Sequence, residues 1–238
     1  MLGKTTPFQQ KLLKSLSRSS RSNEGITLLE SLVAIIVLTI AVTVVTPPIF
    51  LAVATRVQNQ KAEQAMQLAQ KYVDQVRGTV EQGEYDNAAL PSKASEADPE
   101  EVNSPNELLD TIDSSNSSCN SFDPNDMPAE KPLKAIKADV NGDCEADFFV
   151  QIFRSSLERK NASGSVTAFP MGVRVYAMAA EDNVGSLQKI EALLTPTQGF
   201  GQQTTNPLAT IYTNVVYSQA QSGQSLNWYK DLLNPSSP

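Results

Sequence analysis

No histidine occurs among the 238 residues. That absence removes the commonest general base, the Ser-His and Cys-His nucleophile pairs and the usual zinc ligand. No recognisable carboxylate pair takes their place, so the chain reads as a non-enzyme. Basic residues are also short, 19 Lys+Arg against 26 Asp+Glu for a net charge of −7. A nucleic-acid partner is disfavoured, because phosphate contacts need a basic surface. Cysteine is limited to Cys119 and Cys144, which allow one intrachain pairing. With 40% apolar and 19% charged residues, the length fits one ordinary domain plus an appendage.

The few basic residues are unevenly placed. Lys4, Lys11, Lys14, Arg18 and Arg21 precede residue 25 with only Glu24 against them, so the first 25 residues carry +4 and the remainder, 14 Lys+Arg against 25 Asp+Glu, carries −11. From Leu32 to Ala54 the chain runs 23 residues without a charge, long enough to cross a bilayer core as a helix. A basic segment directly before such a run keeps its own side in the cytoplasm and sends the rest across. The expected topology is single-pass in the plasma (inner) membrane, with the N-terminus cytoplasmic and the bulk periplasmic or extracellular. Both cysteines fall in that exported part, where an oxidising compartment lets Cys119 and Cys144 close a disulfide. A secretory signal peptide would place its small-residue cleavage site after the apolar run. Here Gly25 stands before it.

Glu30 sits at the head of that run, in 24-EGITLLESLVAIIVLTIAV-42. A carboxylate at bilayer depth costs a few kcal/mol unless something pairs with it. The ordered set of basic leader, Gly25-Ile26-Thr27-Leu28-Leu29-Glu30 and apolar helix resembles the processing site of type IV pilins and of the pseudopilins of type II secretion. That resemblance implies cleavage between Gly25 and Ile26 by a membrane-embedded prepilin peptidase, which also N-methylates Ile26. It implies that Glu30 serves assembly, its carboxylate facing the amine of Ile26 on a neighbouring subunit in a low-dielectric surrounding. It further implies other pilins or pseudopilins as partners through the N-terminal helix, an inner-membrane assembly platform, and membrane lipid. Pro47, the twenty-second residue after the cut, matches a proline many of these proteins carry. Ile26 stands where phenylalanine is more usual, and the leader is longer than in many members. The stretch TPPIFLAVATRVQNQKAEQAMQLAQ is similar to minor pseudopilins of the cyanobacterial hormogonium polysaccharide secretion cluster, which implies a role in polysaccharide export and gliding motility. Without the resemblance, Glu30 reads equally as an interfacial residue snorkelling to the headgroups.

Pro47 and Pro48 remove two amide donors and are expected to kink the helix, with the hydroxyls of Thr43 and Thr46 available to the freed carbonyls. Beyond Arg56, Ala65, Leu68, Ala69, Tyr72, Val73, Val76 and Val80 recur at three- and four-residue spacing, so the helix is expected to continue as an amphipathic rod ending near Gly78 or Gly83.

Residues 81 to 147 hold 17 Asp+Glu against four lysines, six prolines and a Ser/Asn run from Ser114 to Ser121. They read as a surface excursion with a short helix at Asn106 to Ile112. Strand patterns follow at Phe148 to Arg154, Met171 to Met178 and Leu208 to Tyr217, with turn chemistry at Asn161 to Gly164 between the first two. In 139-DVNGDCEAD-147, Asp139, Asn141, Asp143 and Asp147 occupy positions one, three, five and nine, a spacing that can turn oxygens onto calcium. Cys144 stands where a calcium loop has glycine and Val150 where it has its bidentate glutamate, so an Asx-turn is the competing reading.

The expected fold is α+β: a long N-terminal transmembrane helix continuing as an amphipathic rod packed on a small antiparallel β-sheet, the pilin-like arrangement. The expected divisions are a cleaved leader (1–25), a transmembrane and assembly segment (26–55), an extramembrane helix (56–82), an acidic excursion (83–146) and a β-rich head (147–238). The expected function is a minor pilin or pseudopilin, with no cofactor required beyond a candidate calcium. The alternative is an uncleaved bitopic surface receptor or calcium-dependent adhesin.

Overall fold

The computed structural model describes residues 24–83, 85–123, 132–161, 163–193, 199–217, 226–227 and 229–230; the basic leader before residue 24 lies outside them. The chain divides into two compact units, Met1–Val53 and Ala54–Pro238. A single helix, α1 (Glu24–Gln82), runs through both.

In the first unit, α1 is exposed on every side from Thr27 to Val53, and it is long and apolar enough to cross a membrane. Its few polar groups are satisfied locally. Ser31 donates to Thr27 O, Thr39 to Ile35 O, Thr43 to Ile40 O and Thr46 to Val42 O, the back-bonding that a helix without water around it requires. The backbone stays helical through Pro47 and Pro48. The hydroxyls of Thr43 and Thr46 bond to Ile40 O and Val42 O and not to the carbonyls of Thr43 and Val44, where the two prolines lack their i−4 donors.

In the second unit, α1 buries one stripe, Ala65, Leu68, Ala69, Tyr72, Val73, Val76 and Val80. The three- and four-residue steps between these positions put them on one face. The helix stops at Gly83, whose φ is +74° and whose amide donates to Val80 O at 3.1 Å. A Cβ there would lie 2.8 Å from Tyr217 Oη, so both conformation and space call for glycine.

The stripe packs on a seven-stranded sheet. Its strands are β1 (Ser92–Lys93), β2 (Glu107–Ser114), β3 (Lys134–Asp139), β4 (Phe148–Arg154), β5 (Arg159–Lys160), β6 (Val166–Ala177) and β7 (Ala209–Val216). Pairing follows β2-β3-β4-β6-β5, with β1 on β4 and β7 on β6. β4, β6 and β7 occupy the three segments whose alternation marks strands. The sheet is mixed, not antiparallel: β1 with β4 and β2 with β3 are parallel, and the other pairs are antiparallel. The expected helix at Asn106 to Ile112 is instead strand β2. Pairing with β3 on one edge decides its conformation, and Ser121 holds the other edge through its hydroxyl and amide on Ile112.

Side chains alternate across β4. Phe148, Val150 and Ile152 join the stripe of α1, whereas Phe149 and Phe153 face away into two smaller clusters. Phe149 stacks on Tyr176 at 5.2 Å over Ala180 and Leu187, and Phe153 meets Ala94 and Val102. Both faces are therefore covered, and β6 is buried along its whole length. Pro170 is tolerated inside this central strand because it falls at the junction where β5 pairing ends at Ala168 and β4 pairing starts at Met171.

Arg174, also on β6, is fully buried. It donates to Tyr212 Oη (2.8 Å), Val102 O (2.8 Å) and Pro99 O (3.2 Å), and lies over the rings of Phe153 and Tyr212 at 5.0 and 5.6 Å. Carbonyls and π faces take the place of a carboxylate, and the segment 99–103 is pinned to the sheet.

Candidate functional site

Two regions carry the residues singled out by the sequence. The first is the start of α1. Gly25 and Ile26 lie in its first turn, and Glu30 follows with an exposed side chain. Leu28, Leu32, Ile35 and Ile36 line an exposed apolar face beside Ser31. An acidic side chain and an uncovered apolar face thus lie close together on α1.

The second region is the turn from β3 into β4. Asp139 closes β3 with its side chain buried. One carboxylate oxygen accepts from Gly142 N at 2.7 Å; the other accepts from Ser114 Oγ (2.7 Å) and Cys144 N (2.9 Å). Ser114 and these backbone N–H groups outweigh the cost of burial and hold the Asp139 carboxyl below its ordinary value. Asp147 accepts from Val140 N and Asn141 N. Asp143 accepts from Glu145 N and Asn141 Nδ2, and Asn141 from Asp143 N. All four candidate ligands thus serve the loop's own N–H groups, the Asx-turn arrangement. A cation would have to compete with those donors, and among the described residues no three acidic or sulfur groups converge on one point.

Cys119 and Cys144 are joined in a disulfide. Cys144 adopts φ +72°, and Gly142 two residues earlier φ +81°. The left-handed Cys144 costs about 1 kcal/mol or more of backbone strain, which the crosslink and the bond to Asp139 offset. Sequence reasoning passed over Ser114 and Asn116. Ser114 completes the Asp139 carboxylate, and Asn116 Nδ2 donates to Gly142 O at 3.2 Å. Both sit in the Ser/Asn run, whose composition signals a loop and not a scaffold for a second loop 25 residues away.

Two ion-pair sites were also illegible. Asp113 on β2 accepts from Lys71 Nζ and Tyr72 Oη, each at 2.6 Å, latching α1 to the sheet edge. Burial first, then the Asp113 charge, raises the Tyr72 phenol well above its ordinary value. Glu158, at the far end of β4, gathers Lys93, Arg154 and Lys160.

No protein-family profile, curated protein or solved structure matches the chain.

Proposed function

We propose that the chain is a pilin-like structural subunit, a minor pilin or pseudopilin of a type IV pilus or type II secretion-like apparatus, serving polysaccharide secretion and gliding. In this reading prepilin peptidase removes residues 1–25, Ile26 becomes the methylated N-terminus, and α1 holds the subunit in the inner membrane before assembly. Glu30 then pairs with the Ile26 amine of a neighbour, and the head stays on the outer side. The observation that carries the reading is the register of Gly25, Ile26 and Glu30 ahead of an uncharged, exposed run on one unbroken helix. An anchor alone needs the run but neither the glycine nor the glutamate.

Mass spectrometry of the membrane-extracted protein tests it. The expected mass lacks 25 residues and carries a methyl group on Ile26, and Gly25→Leu accumulates at full length. An intact N-terminus in the wild-type protein sinks the proposal and leaves an uncleaved bitopic receptor or adhesin. Glu30→Leu should be processed and inserted normally, yet fail to restore filament formation or secretion to a deletion strain.

A further inference from the structure

Strand β4 has opposite charge at its two ends. At its C-terminal end, Lys93 and Lys160 reach one oxygen of Glu158 at 3.0 and 3.3 Å, and Arg154 reaches the other at 2.5 Å. Three cations share one carboxylate, leaving two positive charges in excess. Burial works to raise the Glu158 carboxyl, but the cations outweigh it and hold it below its ordinary value. Glu158 is 9% exposed, whereas the ammonium groups belong to side chains 42% and 51% exposed, so the surface presented to solvent is basic. Pairing places all of it together: Lys93 is in register with Arg154, and β5 continues along β6 beyond the point where β4 leaves it.

At the N-terminal end of β4 the surface is acidic. Asp143 and Glu145 are exposed on the disulfide-held loop, and Asp182 is exposed in the short helix after β6. Lys137, the cation of β3 nearest this end, is taken by Glu181 at 3.3 Å. The seven residues of β4 separate the two ends by about 20 Å at the rise of a strand.

We propose that these two ends are complementary docking surfaces, and that the occupant of the basic end is the acidic end of a second copy of this chain. Charge complementarity on one rigid strand selects the partner: beyond the leader the chain is acidic in excess, Lys93 and Lys160 nonetheless stand exposed together at one end of β4, and the matching acidic loop at the other end is held in shape by a crosslink. Because the two surfaces occupy different places on the same subunit, the contact is heterologous and leaves one free end at each step, so it propagates and does not close as a dimer. The contact concerns the head alone and does not require cleavage at Gly25.

Carbodiimide, which joins an amine to a carboxylate without a spacer, tests this on the full-length chain in detergent micelles. Peptide mass spectrometry should find dimers joining Lys93 or Lys160 to Asp143 or Glu145, a link that no chain can make within itself across about 20 Å of strand. About 0.5 M salt should suppress it by screening. Monomer only, or dimers joined elsewhere, overturns the proposal. Lys93→Glu with Lys160→Glu, and separately Asp143→Lys with Glu145→Lys, should each reduce dimer at least about tenfold through like-charge repulsion, read by sedimentation without crosslinker because each variant also lacks one of the reacting groups. Mixing the two variants should restore it, and failure to restore by two folded variants equally overturns the proposal. If a variant does not fold, the wild-type crosslink decides alone. A wild-type protein found uncleaved when extracted from its own membrane, yet giving the link, would refute the processing scheme and leave this contact standing.

Discussion

From Thr27 to Val53 every side chain of α1 is exposed and its hydroxyls turn back onto its own carbonyls. From Ala65 to Val80 the same helix buries a full stripe against a sheet and is latched through Lys71 and Tyr72 to Asp113. The first part therefore takes its stability from its surroundings, and the second from the rest of the chain. Substitutions in the first part should therefore leave the folding of the head unchanged, while substitutions in the second act on it.

The most severe test of that division is Arg174→Met. Several buried carbonyls lose their donor at once, and the full chain in detergent should lose about 4 kcal/mol, read as a fall of about 10 °C in the near-ultraviolet melting of the head. Cys119→Ser with Cys144→Ser should cost about 3 kcal/mol, as expected for a loop of about 25 residues. Chemical denaturation with and without reductant would show it, and equal midpoints would mean that the turn holds itself. Tyr72→Phe removes one hydrogen bond to a carboxylate, about 1.5 kcal/mol. Because burial, and after it Asp113, raises the Tyr72 phenol in the folded state, the unfolded chain gives up its proton first. Wild-type stability should therefore be complete below about pH 10 and decline above it, with a shallower decline in the Phe variant.

The remaining two tests expect almost nothing. Ile36→Ala, in the exposed run, should shift the melting of the head by no more than about 0.5 kcal/mol; a larger shift would break the division between the two parts. Calcium up to about 5 mM should leave the melting curve unchanged, since the oxygens of Asp139, Asn141, Asp143 and Asp147 already accept N–H groups. A rise that Asp143→Ala abolishes would show that an ion displaces those donors.

Legibility differed between the same two parts for a physical reason. An uncharged run, a helical stripe and alternating strands are local patterns, so α1, β4, β6 and β7 could be read along the chain. β1, β2 and β3 could not, because Ser92–Lys93, Glu107–Ser114 and Lys134–Asp139 are short or charge-interrupted segments whose conformation is set by partners distant in sequence. Within the acidic loop the spacing of oxygens was visible, but whether they face an ion or their own backbone depends on Ser114 and on the left-handed Cys144. The Glu158 cluster was invisible for a similar reason, since Lys93 reaches it only through pairing of β1 with β4.

The order in which the head is written along the chain has a temporal consequence. The stripe of α1 ends at Val80, yet most of its cover, Phe148 to Ile152, Val166 to Ala177 and Leu208 to Val215, comes from the second half of the sequence. A ribosome adding about 5–20 residues per second completes the helix and then works for several seconds before that cover exists. During that interval Leu68, Tyr72, Val73 and Val76 are an uncovered apolar ridge. A chain stopped before β6 would keep it permanently, so premature termination should yield an aggregating or rapidly degraded product and not a shortened subunit.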